Sequence, residues 1–177
     1  PISEEDQMKQ AMYEQYSEII DNASSYVPEL EIPSMSAQYE YSLVYMDPDN
    51  PQIPQLLLKQ KYTGEMDRIS VFSFDKNDNQ AFVIQTQALS EGVAHAGGSR
   101  ASLQATNDGS GLIVTSWQSG TGQTWIHRYV VSGHDISSTT EWEGRIDQRP
   151  KDPSEIDIDW YEATDKSGLE QIAPSND

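Results

Sequence analysis

Cysteine is absent from the 177 residues. That excludes a disulfide-stapled scaffold, thiol catalysis and Cys-ligated zinc or iron–sulfur centres. Basic residues are scarce: 11 Lys and Arg stand against 29 Asp and Glu, a formal net charge of -18 at pH 7. A surface of that sign repels the phosphates of nucleic acids and anionic lipid headgroups, so neither is expected as a partner. It draws cations and basic proteins, and it keeps a chain in solution. No stretch approaches the ~20 apolar residues of a bilayer span, so membrane insertion of this segment is not expected. Hydrophobic residues make up 36%, which leaves a modest core, but the length suffices for one domain.

Catalytic signatures are missing as well. No G-x-S-x-G elbow activates any of the serines. Gly97-Gly98-Ser99 and Ser119-Gly120-Thr121-Gly122 lack the lysine of a phosphate-binding loop, and neither opens a helix. Among 29 acids no pair stands out for glycoside hydrolysis. The three histidines, His95, His127 and His134, are too dispersed for a zinc site.

What is present is a helix followed by hairpins. Ser3 caps a helix expected over 3–24, with Glu4, Glu5 and Asp6 against the positive end of its dipole. Met8, Met12, Tyr16, Ile19 and Ile20 fall on one stripe of it. Pro28 and Pro33 make 28–38 a connector. Strands are expected at Tyr39–Met46, Gln55–Lys61, Arg68–Phe74, Gln80–Ala88, Ala101–Thr106, Leu112–Gln118, Thr124–Val131 and Ile136–Glu143, with a glycine-rich loop over 90–99. Short turns throughout, and no βαβ unit, point to an α+β, mainly β fold: an antiparallel meander of about eight strands with the helix packed on it. The first two hairpins echo each other at a shift of 28 positions, with Ser42/Ser70, Asp47/Asp75 and Gln52/Gln80 identical, the kind of repeat that propeller-blade-like hairpins produce. The domain is expected to run over 1–163, with a hairpin-rich sheet at 39–143 and a segment at 145–163 that wraps it through Ile156, Ile158, Trp160 and Tyr161. Residues 164–177 read as a flexible acidic tail.

The two echoing turns carry oxygen ligands at alternate positions, Asp47 and Asp49 in one, Asp75, Asn77 and Asn79 in the other. Alternating acids can hold calcium, though no cofactor is expected. An EF-hand loop also needs a glycine at its sixth position and a bidentate Glu at its twelfth. Those places hold Gln52 and Leu58 in the first turn, Gln80 and Thr86 in the second. Asx residues are also ordinary turn formers.

Tyr41-Ser-Leu-Val-Tyr-Met-Asp47-Pro-Asp49, followed by Ile53-Pro54-Gln55-Leu56-Leu57, resembles the Y-x-L-x-D-x-D-G-D-G-x-P-E-L motif of an exported bacterial module, akin to the FG-GAP and VCBS-type repeats of Gram-positive secreted proteins and lipoproteins. Asn50 stands in place of a glycine and Gln55 in place of the acid. The resemblance implies an extracellular or cell-surface location, with a lipid anchor upstream as one route. A start at Pro1 without Met fits a trimmed segment.

Trp117, Trp125, Trp142 and Trp160 offer rings for a sugar platform, with Trp117 and the loop residue His95 as ligand-binding candidates. In a four-residue hairpin at 119–122, Trp117 and Trp125 point to opposite faces, and His127 shares a face with Val114, Trp125 and Tyr129. The expected function is a non-enzymatic envelope or extracellular binding module for a protein or glycan. A secreted glycan hydrolase and an acidic inhibitor of a basic protein such as a lysozyme are the alternatives.

Overall fold

In the computed structural model, which describes residues 2–30, 36–94 and 97–174, the chain forms an N-terminal helix and a long antiparallel meander. Helix α1 (Glu4–Asp21) starts where Ser3 Oγ accepts from the Asp6 N–H at 3.1 Å. It breaks at Asn22, whose side chain turns back onto the Glu18 carbonyl, and a single turn, α2 (Ala23–Tyr26), follows. The expected helix over 3–24 is thus two pieces.

Strands β1 (Gln38–Val44), β2 (Gln55–Lys61), β3 (Asp67–Asp75), β4 (Gln80–Val93), β5 (Ser99–Thr106), β6 (Leu112–Gln118), β7 (Gln123–Ser132) and β8 (Asp135–Arg145) pair in chain order. Two short strands follow: β9 (Glu155–Ile156) on β5 and β10 (Tyr161–Glu162) on β1. The eight expected strands are all present, and β9 and β10 lie within the expected wrapping segment.

Strand β4 runs five residues beyond the expected end at Ala88, into the stretch expected to be a loop. Its ladder with β3 jumps from Ile69↔Leu89 to Val71↔Gln85 and again to Phe72↔Val83. Gln87 takes a left-handed φ of 52° within this irregularity. Extra residues in one strand bend it, and here they let Gly92 and Val93 leave β3 and pair with β5. The meander therefore doubles over into two layers.

Burial follows from that doubling. One face of β1–β3 receives Met12, Tyr16, Ile19 and Ile20 of α1 on Leu56, Leu58 and Phe72. The other face puts Val44, Leu57, Ile69 and Val71 against Leu103, Leu112, Val114 and Val131 of the second layer. Leu56, Leu57 and Leu58 are all fully buried, as a strand covered on both faces requires. Each such leucine contributes about 1.5–3 kcal/mol.

The end of the chain differs from expectation. Residues Lys166–Ile172 form a 3-10 helix that buries Leu169 and Ile172 in the core beneath α1. Asp165 caps it by accepting from the Ser167 N–H, Gly168 N donates to the Tyr41 hydroxyl at 3.1 Å, and Lys166 pairs with Asp21. Residues 164–174 are docked structure rather than a loose tail.

Candidate functional site

Alternate turns of a meander come to the same end, and this brings the sequence-flagged acids together. Asp47 is 4% exposed. Its carboxylate accepts from Asp49 N at 3.1 Å, Asn50 Nδ2 at 2.9 Å and Gly133 N of the β7–β8 turn at 3.3 Å. Asp75 accepts from Asn77 N at 2.8 Å and lies 3.2 Å from His134 Nε2. The Asn77 N–H, then His134, hold its carboxyl below the usual range. The His134 ring stacks on Phe82 at 3.8 Å between centroids. Asp47, Asp75 and Asn77 thus line one shallow cavity of 120 Å³ with His134 and Phe82.

Asp49 sits beside this cavity, its carboxylate reached by the Ser132 hydroxyl. Asn79 is turned to the helix, where its carbonyl accepts from Gln15. The carboxylates of Asp47 and Asp75 are occupied by N–H donors of their own turns, as Asx turns are. Among the described residues no three His, Asp or Glu side chains are grouped to hold a metal ion.

A second site lies on the outer face of the second layer and was not legible from motifs. After β8 the chain turns through Ile146–Gln148 and doubles back as a strap to β9. Two arginines pin it. Arg149 donates to Thr115 Oγ1 at 2.9 Å and grips both oxygens of Glu155, the shorter contact 2.6 Å. Arg128, on β7, donates through Nε to both Glu141 oxygens at 3.1 Å and through Nη2 to Asp152 at 2.8 Å. Ser154, then Arg128, draws the Asp152 carboxyl below its ordinary range. Reciprocal charge-assisted bonds of this kind fix geometry as well as energy.

Between strap and sheet is a cleft of 290 Å³. Ile113 and Ile126 form its floor, Trp142 one wall and Pro150 another. Two features of β8 place that wall. The ladder passes from Ile126↔Trp142 to His127↔Thr140, so Glu141 is an extra residue, and a bulge of this kind re-aims side chains. Gly144 leaves the strand bare: a Cβ there would sit 2.4 Å from Trp142 Cζ2, so the indole lies across it.

The other sequence candidates fall elsewhere. Register places Trp117 on the cleft's face of the sheet, opposite Thr124, but it does not line the cleft. Trp125, opposite Ser116, is on the reverse face, and His127 lies opposite Val114 there. Trp160 stacks under Lys59, its centroid 3.8 Å from Nζ. His95 lies outside the described residues. Arg128 and Arg149 are what sequence reasoning missed, and Trp142, named there only as one of four candidate rings, is the one that lines the cleft; the hydrophobic Ile113 and Ile126 on the polar-alternating face of β6 and β7 were the available signal. Comparison with protein families, with curated proteins and with solved structures found no match to this chain.

Proposed function

We propose that the chain is a non-enzymatic binding module of the extracellular space or cell envelope, and that its ligand occupies the cleft between the strap and the β6–β8 face. The observation that carries this is a cavity with an apolar floor whose polar rim is already fixed by ion pairs. Preformed, mostly apolar concavities with a few oriented polar groups are what small-ligand sites look like. The resemblance of Tyr41–Leu57 to exported modules, together with the acidic, cysteine-free composition, supports the location. Against hydrolysis stands the state of the rim acids: both Glu141 oxygens accept from Arg128, and Asp152, held low, is a poor proton donor.

The test is a chemical-shift map of the labelled protein against a fragment set of neutral, cationic and anionic rings. Perturbations centred on Trp142, Ile113 and Ile126, absent from the Trp142→Ala variant, are expected. A map centred on the Asp75–His134 turns instead would overturn the assignment of the site.

A further inference from the structure

We infer that the ligand of this cleft is a single neutral sugar ring held against Trp142, an inference that rests on the binding-module reading above. Charge decides the class first. The chain as a whole carries -18, yet the rim of the cleft is balanced: Arg149, Lys151 and nearby Arg128 face Glu141, Asp152 and Glu155. Three of the 11 basic residues of the chain are gathered there. An anionic ligand would be repelled by the protein's overall field. A cationic one would be drawn to the protein but would have to displace Arg128 or Arg149 from the carboxylates they already hold. A neutral ligand suffers neither penalty.

Hydrogen bonding narrows the class. Arg149 and Lys151 present donors at the rim and Glu141, Asp152 and Glu155 present acceptors, the three carboxylates being held in place by Arg128 and Arg149. A purely apolar ring would desolvate these groups without replacing their water, at a cost. A ring with hydroxyls around its edge and C–H groups on its face matches a rim of mixed donors and acceptors, an isoleucine floor and an indole wall. Size narrows it further. At 290 Å³ the cleft is just under the ~300 Å³ at which ligand pockets begin, which admits one ring and not an oligosaccharide within the cleft.

The experiment follows the Trp142 indole N–H, assigned by its loss in Trp142→Phe, during titration with the methyl glycosides of glucose, galactose, mannose and N-acetylglucosamine. A saturable shift with at least one of them is expected, with an affinity unchanged between low and high salt, as for a neutral ligand. In Gly144→Ala the indole is kept but displaced by the new Cβ, and binding is expected to weaken about tenfold, the effect of ~1.4 kcal/mol, with the unfolding midpoint recorded as a control on the fold. If cyclohexanol, phenol or tetramethylammonium shifts the indole while no glycoside does, the sugar inference is overturned and the binding site stands. If none of these probes shifts it, both are overturned.

Discussion

Lys59 illustrates how single residues close gaps that the ladder leaves open. Its side chain is 6% exposed, and its ammonium is met by Glu91 at 2.7 Å and by the face of Trp160. The second Glu91 oxygen accepts from Leu103 N at 3.0 Å, standing in for a backbone partner on β4, whose ladder with β5 holds Ala101 and Arg100. Removing one member of a buried pair strands the other. Glu91→Ala is expected to cost about 3 kcal/mol in denaturant unfolding, and the double change Lys59→Met with Glu91→Leu to recover most of it. Nearby Asp67 behaves oppositely to the turn aspartates. Burial raises its pKa despite Lys59 and Lys61, so the native state holds its proton more tightly than the unfolded chain. Its contribution therefore falls as pH rises from the ordinary 3.8 through the raised value. Asp67→Asn is expected to raise the unfolding midpoint at pH 7 and leave it unchanged at pH 3. Asp108, Asp152 and Asp165 each precede a serine by two positions, accept from it, and are lowered. Their stabilisation is present above the ordinary carboxyl pKa and is lost as pH falls through the lowered values.

At the scale of elements, what could be read in the sequence was what local chemistry encodes. Helix α1 followed from a cap and an apolar stripe, and the hairpins from Asx and glycine turns between β-rich runs. Residue registers followed where turn lengths fixed them, as for Trp117 and Trp125. The bends did not. Nothing in Ala81–Ala88 announces the irregular ladder that carries β4 from one layer to the other, because a bulge is a property of two strands rather than one. The bulge at Glu141 is the same case, and with it went the placement of Trp142. That bulge has a second role. Among the described residues strand β8 is an 11-residue edge paired with β7 alone, and an unbroken edge of that length invites pairing with another chain. Deleting Glu141 is expected to regularise the edge and release Arg128, giving stronger concentration-dependent association in light scattering than the parent protein shows.

Across the whole molecule, three layers share the middle sheet: helix, β1–β4, then β5–β8. Strand β2 lies at the centre of the first core and reaches the second through Leu57. The 3-10 helix at the end of the chain belongs to this construction, since Leu169 and Ile172 touch the same core as Met12 and Tyr16. Truncation after Ala163 is expected to lower the thermal midpoint by several degrees, because two buried aliphatic side chains are worth about 3 kcal/mol or more. An unchanged midpoint would mean that the core closes without them.

The pairing of Lys166 with Asp21 places the last helix of the chain beside the first, on the outward side of the middle layer. The strap cleft opens on the reverse side of the molecule, beyond β5–β8. The fold therefore has a back and a front: a molecule tethered through α1 keeps the outer face of β6–β8, with its strap, away from the tether.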